Sequence, residues 1–551
     1  MPKIQRFLFL SFLLFLSFST FAEDKLFSFT ILHTNDLHSL FEYPEKEHYA
    51  KLAYSIKDEK KQNEIKNIPT LVLDSGDFFS GSVYHVLSPN LLYPRAPELE
   101  FFKFTGYDAI TLGNHEFDAG LEGLFNILTK NESVGISFVN SNTRDFSQFH
   151  FKNFHQTIIK ELKQGDQVLR VGIIGLLPPN ASKVSASQRG ALSFIGYDDK
   201  KMKEDMSEFL KVVQKTVNEL RSKQSVDIVV ALMHGGTPEN EILAKKVSGI
   251  NVILSGHVHG VYKKAQIIKE TYLAETGFGG QNLGVLHFKY KEKKLFLTNQ
   301  DHVLKAINES TPSDKEYLKI IKSYQNDINA IFSEFGYKIS DKIFTLKKDY
   351  NRIAGTDDYL GSFVASKLLQ EYNKISKDET QVYLVAMASL RGDLIRKNSR
   401  DTEIYFEDIF RIFSSGFSEG IHPGFPIASF YLTKKDFIKL INVFDVYTMI
   451  EPLFRIAFSN SLSFKIQNWG IPFMNRITNM KINNLSEDKW PDLIKITCTS
   501  QIMSYLFKID QMTRGLVRIV PLDKKGKAIA GPIIETTHKE FELFANAIKS
   551  E

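Results

Sequence analysis

Five short segments of the chain share one plan, in which an apolar, strand-like run ends in a group of Asp, Asn or His side chains. The apolar runs cover residues 29–32, 71–73, 109–112, 228–232 and 252–254. The polar groups that follow them are Asp36 and His38, Asp77, residues 114–118, His234, and the pair His257 and His259. In open α/β sheets, ligands bind at the carboxyl ends of strands, so we expect the five groups to converge. Imidazole, carboxylate and amide oxygen ligands suit divalent metals, and they are numerous enough here for two ions. The pattern predicts a dinuclear metal hydrolase.

The five segments differ in how specific they are. Taken alone, Asp36-Leu-His38 is an ordinary turn or helix cap, and a lone His after a strand is usually a hydrogen-bonded loop residue. The pair His257 and His259 is more specific, since two imidazoles flanking one residue on an extended segment can bracket a metal. The run Gly-Asn-His-Glu-Phe-Asp at 113–118 is more specific again. Their ordered combination is not expected by chance.

In this order, the motifs resemble those of the calcineurin-like metallophosphoesterases, and specifically the 5'-nucleotidase family of secreted two-domain enzymes. The resemblance covers about residues 27–304 and implies an α/β N-terminal domain with four α/β/β/α layers. The implied ligands are Asp36, His38 and His259 for one metal, Asn114, His234 and His257 for the other, and Asp77 as a bridge between them. It further implies that His115, oriented by Asp118, is a catalytic dyad beside the metals.

The chemistry of the residues agrees with these implied roles. Two ions about 3.5–4 Å apart can clamp both ends of an in-line displacement at phosphorus. A group that bridges them must carry charge and two lone-pair faces, which Asp77 offers and an asparagine does not. A protonated His115 can stabilise the oxyanion or protonate the leaving alkoxide. The alternative, in which His115 is itself a ligand, is less favoured because Asn114 already fills that position.

The first residues indicate export. Lys3 and Arg6 precede an apolar run over residues 7–18, and small residues lead up to Ala22. This layout is typical of a signal peptide over residues 1–22, with an uncleaved anchor helix as the alternative. Since Cys498 is the only cysteine, no internal disulfide can form. We expect a periplasmic or secreted protein with no stable membrane span after cleavage.

The 551 residues exceed a single ordinary domain, and an apolar content of 43% predicts a soluble globular protein. Alternating strand-like and helical runs place an N-terminal α/β domain at 25–305, a linker helix at 310–338, and a second α/β or α+β domain at 339–551. The net charge of +5 is small for this length, and no basic block interleaved with aromatics is present, which argues against a nucleic-acid partner. We expect a monomer.

The 5'-nucleotidase resemblance implies a C-terminal nucleoside pocket, in which arginines hold the phosphate. One mark of that pocket is an Asn-Gly-Gly-Gly-Ile-Arg-like segment. Residues 391–396 read Arg-Gly-Asp-Leu-Ile-Arg and keep this mark in part. Arg396 falls on the family's arginine and is the first candidate for a substrate contact, and Arg391, which replaces the asparagine, is the second. An ordinary surface arginine is the alternative for both.

In the same family two aromatic rings clamp the base, and their marks are a Pro-Phe-Gly-Asn segment and an aromatic residue followed by Gly-Gly-Asp-Gly. Neither mark is present in this sequence. Phe417 or its neighbour Phe413 is the candidate for one ring, and Tyr505 or Phe507 for the other. The resemblance therefore predicts the reaction better than the substrate.

The expected function is hydrolysis of nucleoside 5'-phosphates or related phosphoesters in nucleotide catabolism, by a hydroxide held between two Zn, Mn, Fe or Co ions. The partner is then a small-molecule phosphoester. Three alternatives remain open at this stage. The same fold can act on a nucleotide sugar or cyclic nucleotide, it can act on a thiosulfo ester, or the chain can be a non-catalytic exported binding protein.

Overall fold

The computed structural model describes residues 26–144, 150–185, 190–353, 359–414, 416–418, 421–450, 455–467, 476–507, 509, 513 and 515–549. The predicted signal peptide, residues 1–22, lies outside the described residues. None of the helices in the described part of the chain has the length and apolar character needed to cross a membrane. Cys498 is buried and is not part of a disulfide.

The N-terminal part of the chain builds two β-sheets. Its strands are β1 (Phe27–Thr34), β2 (Thr70–Asp74), β3 (Ala109–Ile110), β4 (Phe138–Val139), β5 (Phe154–His155), β6 (Thr157–Gln164), β7 (Gln167–Leu176), β8 (Tyr197–Asp198), β9 (Lys203–Glu204), β10 (Ile228–Met233), β11 (Val252–Ser255), β12 (Gln266–Ile268), β13 (Thr271–Ala274), β14 (Asn282–Lys291), β15 (Lys294–Leu297) and β16 (Leu304–Ala306). The first sheet has the order β15-β14-β1-β2-β3-β4-β5, with β16 paired to β14. The second has the order β12-β13-β11-β10-β7-β6. β8 and β9 form a separate short ribbon.

Helices cover the outer faces of the two sheets. They are α1 (His48–Ile65), α2 (Pro97–Thr105), α3 (Gly120–Val134), α5 (Met206–Lys223) and α6 (Thr237–Lys246). The short helix α4 (Pro179–Ser185) contacts the β8–β9 ribbon, and α7 (Lys315–Ser333) packs on other helices. Side chains alternate along β1, so Phe29 and Ile31 lie in the core between the sheets, while Leu32 faces the helices. On the second sheet Ile174 packs towards Phe209 of α5. These layers confirm the predicted α/β/β/α architecture.

The predicted strand positions agree closely with the structure. β1, β2, β10 and β11 each include the apolar run recognised in the sequence. β3 is shorter than its run, because the chain leaves the sheet after Ile110 and turns towards Asn114. β1, β2 and β3 pair in parallel, as do β10 and β11, so the polar groups lie at the same ends of their sheets.

The helix α7 lies within residues 310–338, for which the sequence predicts a linker helix. The Asp314 side chain accepts hydrogen bonds from the backbone N–H groups of Glu316 and Tyr317, which caps its first turn. On one side α7 packs against α1 and α2. On the other side the Phe332 ring lies 4.8 Å from that of Phe410. Since buried residues of α7 belong to a core that includes both parts of the chain, the helix connects the two by packing as well as by sequence.

The C-terminal part builds a mixed sheet with helices on both faces. Its strands are β17 (Lys342–Leu346), β18 (Val382–Ala386), β19 (Thr402–Tyr405), β20 (Phe417–Ser418), β21 (His422–Pro423), β22 (Pro426–Thr433), β23 (Ile456–Phe458), β24 (Leu462–Ile466), β25 (Ile477–Ile482), β26 (Leu493–Thr499) and β27 (Ile533–Lys539). Its helices are α8 (Leu360–Ile375), α9 (Phe406–Ile412), α10 (Lys434–Ile450), α11 (Ser500–Leu506) and α12 (Glu540–Lys549). The main sheet has the order β23-β18-β26-β22-β27, with parallel and antiparallel pairs.

Candidate metal centre

The loops at the carboxyl ends of the strands bring the predicted ligands together in two groups. The ligand atoms of Asp36, His38 and His259 lie within 4.8 Å of one another, as do those of Asp77, His234 and His257. Asn114, the remaining predicted ligand, joins the second group, with its Oδ1 at 3.2 Å from His234 Nε2. The structure therefore assembles two adjacent groups, each able to hold one divalent ion.

The backbone at this centre is strained. Positive φ angles occur at several of the predicted ligands, namely Asp36, His38, Asp77, His257 and His259. This region of φ is unfavourable for residues other than glycine, and each such residue costs about 1–3 kcal/mol. The space is also tight: a Cβ on Gly113 would overlap the carboxylate of Asp77. Backbone strain concentrated at five of the predicted ligands indicates a functional site.

When the imidazoles are neutral, the lone pairs in each group point at one another, and this pattern fits a cation. His38 Nδ1 lies 3.1 Å from the Ser80 carbonyl oxygen, which can only accept, so we assign a proton to Nδ1. Its Nε2 then directs a lone pair at His259 Nε2, 3.2 Å away. In the second group His234 Nδ1 donates to the Ser75 carbonyl at 2.9 Å, and its Nε2 faces Asp77 Oδ2 at 3.0 Å. A metal ion in each group would satisfy these converging acceptors.

The electrostatics of the second group also favour a cation. Burial alone would lower the pKa of His234, but the Asp77 carboxylate outweighs it and raises the pKa to about 10. Burial would raise the pKa of Asp77, whereas His234 and His115 hold it well below its usual range. A carboxylate field strong enough to hold a second proton on His234 is also strong enough to attract a divalent ion in place of that proton.

Glu116, which the sequence analysis did not single out, organises the ligand loops. Its carboxylate accepts hydrogen bonds from the backbone N–H groups of Asp77 at 3.1 Å, Phe79 at 3.2 Å, and Gly113. Burial raises the pKa of Glu116 to about 8, and the charge of Asp77 adds to this shift. Its place inside the Gly-Asn-His-Glu-Phe-Asp run is the only sequence signal for this role, because a residue that accepts backbone N–H groups leaves no pattern of its own.

The two residues of the predicted dyad, His115 and Asp118, contact each other beside the two groups. His115 Nδ1 and Asp118 Oδ2 are 2.8 Å apart, and the carboxylate fixes the proton on Nδ1. His115 Nε2 lies 4.0 Å from Asp77 Oδ2, and it accepts a hydrogen bond from Arg391 Nη1 at 2.9 Å. The dyad thus lies next to the candidate metal groups without being part of either.

The four predicted substrate residues occupy different places. Arg391 reaches the dyad, and its Nη2 lies 3.4 Å from His38 Nδ1. Arg396 instead forms an ion pair with Asp349, with Nε and Oδ1 at 3.1 Å. The buried Phe417 packs against the N-terminal part, as described below. Tyr505 lies half-buried on α11. Of the two arginines, it is Arg391 that the structure brings to the candidate metal centre.

Comparison with known proteins agrees with this arrangement. Residues 29–261 match the family model described as calcineurin-like phosphoesterase. Fold and site together define a mixed α/β protein built on a calcineurin-like phosphoesterase domain. The trifunctional nucleotide phosphoesterase YfkN of Bacillus subtilis is 26% identical over 379 residues, which are 63% of this chain and 24% of that protein. The 5'-nucleotidase of Bos taurus is 26% identical over 315 residues, 52% of this chain and 50% of that protein. Residues 29–261 thus match the calcineurin-like phosphoesterase family, and the chain as a whole is similar to 5'-nucleotidases, in agreement with the resemblance drawn from its motifs.

Solved structures share the fold over most of the chain. The 5'-nucleotidase precursor of Thermus thermophilus superposes with a TM-score of 0.67 and 19% identity, covering 95% of this chain and 96% of that chain. The sulfate thiohydrolase SoxB of the same organism superposes with a TM-score of 0.61 and 16% identity, covering 95% and 94%. At these identities the likeness concerns the fold alone. The chain spans between a quarter and a half of the length of the curated relatives described above.

Proposed function

We propose that the protein is an exported, metal-dependent phosphohydrolase that acts on nucleoside 5'-phosphates or related phosphoesters. The observation that carries the proposal is the pair of adjacent ligand groups, Asp36–His38–His259 and Asp77–His234–His257, with the His115–Asp118 dyad beside them. Asp77 is the proposed bridge, and Asn114 completes the second group. When bound, two divalent ions would act as Lewis acids on the phosphoryl oxygens and supply the nucleophile at neutral pH.

Two side chains beside the ligand groups are proposed to contact the substrate. His115 Nε2 is the proposed contact to the leaving oxygen, since Asp118 occupies the opposite ring nitrogen. Arg391 is the proposed contact to the phosphoryl group. Its guanidinium touches two imidazole nitrogens and, within the described part of the chain, forms no ion pair. Arg391 is half-buried, and a cation partly removed from water beside a cationic site is unfavourable unless an anion lies between the two, so its position favours an anionic substrate.

The test is phosphate release by the full mature chain loaded with Mn²⁺ or Zn²⁺. The panel contains AMP, UMP, ADP, ATP, a UDP-sugar, a 2',3'-cyclic nucleotide and an aryl phosphate, each also assayed with excess chelator. We expect chelator-sensitive release with a preference for nucleoside 5'-phosphates. Release from the aryl phosphate alone would restrict the proposal to a phosphohydrolase with another natural substrate. No release from any compound by the metal-loaded chain would contradict it.

The Arg391→Asn variant, which places the family's residue at this position, tests the proposed phosphoryl contact. Because hydrogen bonds to charged groups are worth about 1.5–3 kcal/mol, we expect kcat/KM to fall roughly 10- to 100-fold. Metal content should not change, since Arg391 belongs to neither ligand group. The matched control is Arg396→Asn, which should remain within about twofold of wild type, because its ion pair with Asp349 is partly exposed at the surface and such pairs contribute little. A larger loss in Arg396→Asn than in Arg391→Asn would reverse the assignment.

A further inference from the structure

We propose that His85 is a positioning residue through which packing of the C-terminal part sets the geometry of one metal site, the Asp36–His38–His259 group. The inference rests on the proposed function in so far as that group holds a metal. It assigns a role to a histidine outside both ligand groups, and it makes the C-terminal part a structural component of the metal centre.

The link begins in the coupling loop, residues 79–81. The Phe79 and Ser80 carbonyl oxygens lie 3.3 Å and 3.1 Å from His38 Nδ1 and orient the ring of this ligand. The backbone of Gly81 approaches His38 so closely that a Cβ at Gly81 would overlap the His38 carbonyl oxygen. Any displacement of the coupling loop therefore moves the His38 imidazole.

His85 holds the coupling loop from the other side. It lies in the short 3-10 helix Val83–Leu87 and is fully buried. Its Nδ1 accepts the Gly81 N–H at 3.1 Å. Burial lowers the pKa of His85 to about 3, so the ring is neutral and keeps the lone pair that this hydrogen bond requires. The position of the coupling loop thus depends on one buried acceptor.

The same ring and the coupling loop form the contact with the C-terminal part. The His85 ring lies 5.5 Å from that of Phe410 and 5.2 Å from that of Phe417. Phe417 also stacks on Phe79, with ring centroids 5.8 Å apart and an interplanar angle of 21°. The Ser80 hydroxyl donates to the Ser414 carbonyl at 3.0 Å. Packing of the C-terminal part therefore fixes His85 and the coupling loop together.

The two imidazoles of the second ligand group are oriented by other contacts. His234 donates to the Ser75 carbonyl, and His257 Nε2 lies 3.2 Å from Asn180 Oδ1. Both partners belong to the N-terminal part of the chain. The coupling through His85 should consequently affect one metal site far more than the other.

The experiment compares two His85 variants with a control in the full chain. His85→Phe keeps a ring among the aromatic neighbours but leaves the Gly81 N–H without its acceptor. His85→Asn loses the ring but places an amide oxygen close to the position of the ring Nδ1. Phe154→Leu controls for a general loss of stability, since Phe154 is buried on β5 at the far edge of the first sheet. Each metal-free protein is titrated with Mn²⁺, and electron paramagnetic resonance distinguishes single ions from coupled pairs.

We expect wild type and Phe154→Leu to bind two coupled Mn²⁺ ions. His85→Asn keeps the acceptor but loses the ring contacts to Phe410 and Phe417, so it should show a measurable loss of affinity that is smaller than the loss in His85→Phe. His85→Phe should keep one tight site and lose roughly 10- to 100-fold in affinity at the other, the usual effect of removing a group that orients a ligand. Wild-type binding of both ions by His85→Phe overturns this inference and leaves the proposed function standing, as does an equal loss in Phe154→Leu. A loss in His85→Asn as large as that in His85→Phe overturns the role of the acceptor, and wild-type binding by His85→Asn overturns the role of the ring contacts. A wild-type chain that binds no Mn²⁺ or Zn²⁺ overturns the proposed function as well.

Discussion

Replacing Asp77 with asparagine is expected to remove the carboxylate proposed to bridge the two metal sites. We expect this substitution to cause the largest loss of activity of any single substitution in this chain. Asp77 Oδ1 accepts a hydrogen bond from the backbone N–H of His115 at 2.8 Å, and Asp77 Oδ2 faces His234 Nε2. An amide keeps the shape of the group but removes its charge and turns one oxygen into an N–H₂ donor. That donor would point at the proposed metal positions. We therefore expect metal affinity to fall by more than about 100-fold, beyond the usual effect of losing an outer-sphere contact.

The measurement is metal content after dialysis, followed by phosphate release at saturating Mn²⁺. The control is Asp108→Asn, because Asp108 is only partly buried and accepts the Val72 N–H on β2 away from the ligand loops. Asp108→Asn should keep both metals and full turnover. If Asp77→Asn retained two metals with unchanged affinity, Asp77 would not be the bridging ligand, and another group would have to link the two ions.

The candidate metal centre could be predicted from sequence because its residues follow the strands directly. The nearest strand end sets the position of Asp36, His38 and Asp77 in the fold. Parallel pairing of β1 and β2 brings those strand ends together. Local apolar runs were enough to place β1, β2, β10 and β11. Each of these inferences needed only a few neighbouring residues and one general rule about sheets.

The substrate side could not be predicted in the same way, because it depends on contacts between distant parts of the chain. Arg391 meets His115 across 276 positions, and no local pattern records that contact. Residues 391–396 carry two arginines in one loop, and the motif alone favoured Arg396. In the structure Asp349 holds the Arg396 side chain, and Arg391 is the arginine that contacts the dyad. The two arginines lie on opposite sides of Leu394, which pairs with Tyr350, and spacing alone does not reveal which of them reaches the dyad.

Aromatic residues show a related limit. The sequence offered Phe417 as a ring for stacking on a base, with 45 phenylalanines in the chain to choose among. In the structure Phe417 is buried against Phe79 and His85, where it contributes to packing between the two parts of the chain. Composition cannot distinguish a ring that packs in a core from one that binds a ligand, since both need apolar surroundings.

Replacing His115 with alanine is expected to slow turnover roughly 10²- to 10⁴-fold, the usual contribution of a positioned general acid or base, while leaving both metals bound. His115 belongs to neither ligand group, and its ring is held by Asp118 and contacted by Arg391. The matched control is Asp118→Asn, which should give a smaller loss because the imidazole remains but its tautomer is no longer fixed.

If His115 protonates the leaving oxygen, the loss of turnover in His115→Ala should be much smaller for an aryl phosphate than for AMP, because an aryl oxide leaves without a proton. Equal losses on both substrates would instead assign His115 to stabilising charge on the phosphoryl group. Loss of a metal in His115→Ala would contradict the dyad altogether and make His115 a ligand, the alternative that the sequence left open.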